Sequence, residues 1–401
     1  MTALRFINAR IVCPAGGIRD GELLVDGETI VARIDGDAQV IDCRGRTLAP
    51  GIVDLAAFAV DKAACRAGGI VRVALMPDQS PVLDDPGIVR RAATMGKPEL
   101  WVHPLAAATQ GLEGRDLAEM AINASAGARG VATGRRWIGD AGLMRKALAY
   151  ARDCDLTLVS HAEDAALAGD AVATDGLTAT LLGLPSAPPV VEALAIARDL
   201  MLAEDTGARL HIRQVTTAAG LDLIRAAKRR GVAVTCGITP AHLMLSDIAM
   251  NDFRTFAHLS PPLRSEDDRR ACVAALADGT IDVLGSGHDP RGPEEKRLPF
   301  ADSAPGAAGA RTLLALALGL AENEGIGHDR LFALLAANPA SILGLDVGAL
   351  TPGMPADLVL LDPGAPWQVD ATRDGNTPFD GLPVQGKVLR VWKGGKEIPG
   401  A

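Results

Sequence analysis

No stretch of the 401-residue chain is apolar for long enough to cross a bilayer. Its longest apolar runs are broken within about ten residues by Gly, Pro or a charge, against the roughly 20 that a membrane helix needs. The opening residues, Met1-Thr2-Ala3-Leu4-Arg5-Phe6, lack the basic-then-apolar layout of a secretory signal. Positive charge is not in excess either. The net charge is −9, which argues against a nucleic-acid partner or an anionic membrane surface. The six cysteines (Cys13, Cys43, Cys65, Cys154, Cys236, Cys272) have no metal-type spacing, so buried thiols in a reduced, cytoplasmic protein are expected. Nor does a Gly-rich phosphate turn follow an early strand, which removes the signature of a dinucleotide-binding sheet.

What is present is a globular composition, 48% hydrophobic and 22% charged, in a chain longer than one core usually serves. The two ends are alike. Residues 3–50 run through short β-rich pieces (4–12, 22–25, 30–34, 40–42), and residues 350–401 do the same at 357–361 and 386–393. Such pieces need partners to bury their apolar faces, so residues 1–50 and 346–401 are expected to form one composite β-sandwich. Between them, strands are expected at 51–58, after a turn at Ala49-Pro50-Gly51, and at 71–77, 99–105, 128–133, 156–161, 210–215, 232–235 and 281–286. Helical patterns at 141–152, 190–204, 218–230 and 266–277 lie between strands, and helices at 306–324 and 329–343 follow the last one. Eight strands with intervening helices predict a (β/α)8 barrel of the TIM type over 51–345, with reactive groups at the strand C-terminal ends.

Several phrases carry a family resemblance. Leu48-Ala49-Pro50-Gly51-Ile52-Val53-Asp54 resembles the first barrel strand of the amidohydrolase superfamily, in its dihydroorotase branch. Leu350-Thr351-Pro352-Gly353-Met354-Pro355-Ala356-Asp357 resembles the C-terminal β segment. Val102-His103-Pro104, Gly111-Leu112-Glu113-Gly114, Leu263-Arg264-Ser265-Glu266, Arg297-Leu298-Pro299-Phe300 and Asn376-Thr377-Pro378-Phe379-Asp380 extend the likeness over roughly 4–398.

The resemblance implies metal ligands at the ends of strands one, four, five, six and eight. Strand one should carry two histidines, where this chain has Ala56 and Phe58. Strand four should carry an Asp or a carboxylated Lys; Thr133 stands there, and no Lys lies between Lys97 and Lys146. His161, in Ser160-His161-Ala162-Glu163-Asp164, keeps the ligand position of strand five. Gln214 replaces the strand-six His, and Gly287 the strand-eight Asp that serves as both ligand and base. A single imidazole falls short of the three protein ligands a catalytic zinc needs, so no metal cofactor is expected.

Substrate recognition is altered as well. The first connection, 59–68, is short, and the family's carboxylate-binding Arg aligns near Val60. Asp78 and Ser260 stand where the family has Asn, and Arg291, in place of a His, offers a charge to an anion in the mouth.

The surviving polar groups have plain readings. His161 is expected as a hydrogen-bonded relic and His288 as a structural imidazole, with an orphan acid–base group as the alternative. Asp289 is either a shifted ligand or a structural acid. His211 is expected in the core or just behind the site; His103 fits a family phrase without being a ligand; His242, His258 and His328 are read as surface or packing residues. The adjacent Arg135 and Arg136 are read as a solvated face, with an anion site as the alternative.

The resemblance thus implies a dihydroorotase homologue of pyrimidine biosynthesis that has lost its metal site. Its expected role is a non-catalytic subunit or scaffold for aspartate transcarbamoylase, alone or as a homo-oligomer. Two alternatives remain: an active cyclic amidohydrolase with a rebuilt or mononuclear zinc site around His161, Asp289 and His288, and an anion-binding sensor.

Overall fold

The structure is a computed structural model describing residues 3–400. Eight parallel strands follow one another around a barrel: Ile52–Ala57, Ile70–Leu75, Trp101–Ala107, Gly130–Ala132, Leu158–Ser160, Leu210–Ile212, Val234–Ile238 and Val283–Leu284. They are mainly apolar and mostly buried on both faces, because helices cover the outside and side chains fill the inside. Asp54, Arg72, His103 and His211 are among the polar exceptions, each holding ionic or hydrogen-bonded partners. No ladder pairs the first strand with the eighth, and other bonds close that seam, among them one from the Ser286 hydroxyl to Asp54 Oδ2. Phe58 N–H donates to His288 O at 2.9 Å, and Ser286 N–H donates to Asp54 Oδ1 at 2.8 Å. Polar caps start the outer helices: Asp140, Thr217 and Ser265 accept from backbone N–H groups of the first turns of Ala141–Asp153, Ala218–Arg229 and Glu266–Asp278.

Both chain ends build a second, mixed sheet in the order Lys396–Ile398, Pro383–Lys393, Leu358–Gln368, Thr47–Pro50, Ala3–Cys13, Gly17–Asp26, Thr29–Val31, with Ala38–Asp42 on the other half of Ala3–Cys13. Thr47–Pro50 joins the ends, parallel to Ala3–Cys13 and antiparallel to Leu358–Gln368. The hydrogen-bonded path is therefore one branched sheet folded over its own core. In that core Phe6 from one end meets Trp392 from the other edge-on, centroids 4.9 Å apart. The expected turn at Ala49-Pro50-Gly51 is instead the end of a strand, and Gly51 carries the chain directly from this sheet into the barrel.

The first connection holds only the six-residue helix Lys62–Ala67, capped by Asp61. The helix expected over 306–324 begins at Leu313. Residues 307–310 are kept out of the helix because their backbone groups are engaged elsewhere: Ala307 O accepts from Asp289 N–H, and Gly309 and Ala310 N–H point at His288. The helix expected over 329–343 runs from His328 to Ile342, with a π turn at Ala333–Ala337.

Candidate functional site at the barrel mouth

Parallel strands deliver their C-terminal ends to one mouth, so Phe58, Thr133, His161, Gln214 and Asp289 converge although far apart in sequence. His161 sits deepest. Its backbone N–H donates to Thr133 Oγ1 at 3.0 Å. Its Nδ1 accepts from Arg213 Nη2 at 2.8 Å, and its Nε2–H donates to Glu163 Oε2 at 3.2 Å. Burial pushes the His161 pKa down against the pull of Glu163, so the ring is neutral, and its one lone pair is spent on a guanidinium.

That guanidinium is the site's unexpected feature. Arg213 is 7% exposed; burial and then the nearby Arg135 draw its pKa down to about 10, which leaves it charged at neutral pH. Arg135 lies over the Phe58 ring at 3.8 Å and Arg213 at 5.2 Å, so the phenyl group at a family ligand position faces two cations. Arg135 grips Asp289 with two parallel bonds, Nη2 to Oδ1 at 2.9 Å and Nη1 to Oδ2. Asp289 Oδ2 also accepts from Arg291 Nη2 at 3.0 Å. Asp78 Oδ1 accepts from the Arg135 backbone N–H at 2.9 Å. Position 134 must be glycine for this: its φ is +76°, and a Cβ there would lie 2.8 Å from Asp78 Oδ1.

What space remains is small. A cavity of about 40 Å3 is lined by Phe58, Arg213, Gln214, Thr239, Gly287 and Asp289 among others. That admits a few water molecules, whereas small-molecule sites commonly reach several hundred Å3. Gln214 Oε1 and Arg213 Nε are buried there without a protein partner. Gly287 has a φ of +60°, and a Cβ would come within 2.8 Å of Thr239 Cγ2.

Of the residues singled out from sequence, His161, Thr133, Gln214, Asp289, Asp78 and Arg291 lie in or around this mouth. His288 is set behind it: its Nδ1 accepts from Gly309 and Ala310 N–H, both at 3.3 Å, and its Nε2 is buried without a partner. Arg291 does not present a free charge to an anion. Its Nε donates to Pro305 O at 2.8 Å and its Nη2 to Asp289, because the loop folds back onto Asn376, whose Oδ1 holds the Arg291 N–H. The Arg135-Arg136 pair splits: Arg136 is exposed, while Arg135 turns inward to the carboxylate of Asp289. His211, His242 and His258 are buried, with hydroxyl partners on Thr235, Thr239 and Ser303.

The residues present do not fit a zinc ion. Among the described residues no three His, Cys, Asp or Glu side chains are grouped to hold a metal. The His161 ring has both nitrogens engaged by protein, and the side chains of Ala56, Phe58 and position 287 offer no donor atom. Sequence reading passed over Arg213 and Glu163. The available signal was an arginine one position before Gln214, which stands where the resemblance implies a metal ligand.

The amidohydrolase family pattern matches residues 106–398. A dihydroorotase of Syntrophotalea carbinolica is 37% identical over 407 residues, covering 95% of each chain. A dihydroorotase of Geotalea daltonii is 38% identical over 380 residues, covering 90% of this chain and 89% of that one. Among solved structures, the L-hydantoinase (dihydropyrimidinase) of Arthrobacter aurescens superposes with a TM-score of 0.87 at 24% identity, covering 99% of this chain and 96% of that one. The dihydropyrimidinase of Brevibacillus agri gives 0.84 at 22% identity, covering 99% and 95%. These two share the fold. The chain belongs to the amidohydrolase family. Within it, the chain is dihydroorotase-like along nearly its whole length.

Proposed function

We propose that this chain is a dihydroorotase homologue of pyrimidine biosynthesis that has given up metal-dependent hydrolysis and serves as a non-catalytic subunit, with aspartate transcarbamoylase as its partner. The observation that carries the reading is the Arg213–His161 bond: the one retained ligand gives its lone pair to a buried guanidinium. Hydrolysis of a cyclic amide needs an activated water and a proton-transfer group. Here the strand-eight base position is Gly287, and the neighbouring carboxylate, Asp289, is bound by two arginines. The partner reading is supported by a scaffold kept whole around an altered mouth, and by a net charge that disfavours nucleic acid.

The test has two arms. Protein prepared without chelators is expected to carry no stoichiometric zinc and to leave carbamoyl-aspartate and dihydroorotate unconverted at acidic and alkaline pH, with zinc added. It is also expected to co-elute with the transcarbamoylase of the same organism. Zinc-dependent turnover abolished by His161→Ala would overturn the first arm; separate elution at micromolar concentration with unchanged transcarbamoylase activity would overturn the second. A second reading, a working cyclic-amide hydrolase with a rebuilt site, is favoured by the full-length likeness to proteins named dihydroorotase. It requires the first arm to fail.

A further inference from the structure

A cavity of about 170 Å3 lies away from the mouth, where the sheet of the two chain ends meets the helix Leu313–Asn323. The mouth itself keeps only about 40 Å3. Leu314, from the first turn of that helix, and Val388, from the strand Pro383–Lys393, give the cavity buried apolar surface. Trp367 adds an indole whose Nε1–H donates to Gly386 O at 2.8 Å, which fixes the ring. Position 386 must be glycine for strand and helix to come this close. Its φ is +98°, and a Cβ there would lie 2.5 Å from Leu318 Cδ1.

Three cationic side chains complete the lining: Arg311, Arg373 and Lys387. One carboxylate answers them. Asp374 is fully buried, and Arg373 alone occupies both of its oxygens, Nε to Oδ1 at 2.6 Å and Nη2 to Oδ2 at 2.9 Å, while Asp370 N–H donates to Oδ2 at 3.0 Å. Arg311 reaches the same Oδ1 through Nε at 2.9 Å, and its two Nη groups have no hydrogen-bond partner among the described residues. Lys387 has neither an ion pair nor a side-chain hydrogen bond among them, since its cross-strand neighbour Asp362 is taken by Arg46 at 3.2 Å. The lining therefore carries two positive charges in excess, in a chain whose net charge is −9. Tying the C-terminal segment to the barrel takes one arginine; the second arginine's Nη groups and the lysine make no bond within the protein.

We infer that this cavity binds a phosphate monoester that carries a flat ring. A phosphate monoester is close to a dianion at neutral pH and so matches both surplus charges, where a carboxylate matches one. The Nη pair of Arg311 offers two parallel donors to phosphate oxygens, and Lys387 a point charge. The start of Leu313–Asn323 lies beside them, and its partial positive charge favours the same anion. The ring is received by Trp367, Leu314 and Val388, a wall that inorganic phosphate would leave unused. The segments that hold the ligand also back the mouth: Ala310, next to Arg311, donates to His288 Nδ1, and Asn376, two residues after Asp374, holds the Arg291 N–H. The site stands whether or not the mouth is catalytic.

Calorimetric titration of the full chain with phenyl phosphate at low salt tests this. Wild type is expected to bind with a Kd below about 1 mM, at least about tenfold more tightly than it binds inorganic phosphate or benzoate, and less tightly as salt is raised. Arg311→Gln and Lys387→Gln should each weaken binding about tenfold, and the double variant should abolish it. Arg229→Gln, an exposed arginine on the helix after strand six, should bind as wild type does. Phenyl phosphate should change the tryptophan fluorescence of wild type and leave that of Trp367→Phe unchanged, which places the ring at this indole. An unchanged circular dichroism melt verifies folding, and Lys387→Gln, which removes no bond within the protein, carries the test if Arg311→Gln does not fold. Absence of binding at millimolar phenyl phosphate, a preference for benzoate, equal affinity for inorganic phosphate, or binding that survives the double variant overturns the inference.

Discussion

Replacing Arg135 separates a mouth that works as an active site from one that holds the barrel together. Groups kept for catalysis commonly cost stability, so removing them leaves a protein as stable or more so. Groups that stitch strands do the reverse. Arg135 joins the end of strand four to that of strand eight through Asp289, anchors Asp78 by its backbone, and rests on Phe58 from strand one. Breaking a fully buried ion pair from one side costs about 3–5 kcal/mol. The Arg135 side chain is 33% exposed and Asp289 keeps Arg291, so a smaller loss applies. Arg135→Ala is expected to destabilise by about 2–3 kcal/mol, including about 0.5–1 kcal/mol from the Phe58 face. Asp289→Ala is expected to cost less, about 1–2 kcal/mol, because the stranded Arg135 can turn to water. The double variant should fall short of the sum by at least about 1 kcal/mol, since the second substitution removes a partner already lost. Urea unfolding followed by circular dichroism measures all four corners of the cycle. An Arg135→Ala protein as stable as wild type, or strict additivity, would refute the structural account of this network.

Two further predictions concern backbone and protonation. Gly287→Ala should destabilise by about 1–3 kcal/mol, from the positive φ together with the approach to Thr239 Cγ2, and Thr239→Ser should recover part of that loss by removing the methyl group; equal stability of Gly287→Ala and wild type in thermal melts would count against this. The protein should also be acid-labile from its buried imidazoles. Burial pushes His103 and His211 down to about 3 and His242 to about 4, so between pH 6.5 and those values the unfolded chain binds protons that the folded one refuses. Stability from these groups is fully present above pH 6.5 and falls with pH, by about 2 kcal/mol for each of the three at pH 5. Asp54, raised by burial to about 6, acts in the opposite sense, gaining stability as pH falls through that value, as do Asp199 and Asp282, which burial also raises. The imidazoles of His161, His258, His288 and His328 are lowered as well and keep the balance toward acid lability. Calorimetry should give a Tm that drops steeply from pH 7 to 5 with net proton uptake on unfolding; a flat Tm over that range would show the imidazoles to be more hydrated than the structure places them.

The sequence by itself determined the strand–helix alternation, the eight barrel strands and the pairing of the two ends, because runs such as Ile70–Leu75 and Leu358–Leu361 are apolar enough to have no alternative to burial. It also determined that Ala56, Phe58 and Gly287 bring no side-chain donor atom to the barrel mouth in any fold. Local pattern misjudged 306–312, where apolar and small residues suggested helix while the backbone was claimed by Asp289 and His288. What filled the mouth was decided only by tertiary structure. Arg213, Arg135 and Asp289 lie on three different strand ends, and nothing local distinguishes Arg135 from its exposed neighbour Arg136. Whether an arginine is solvated or locked depends on a carboxylate more than 150 residues away in the chain, and only barrel closure brings the two within hydrogen-bonding distance.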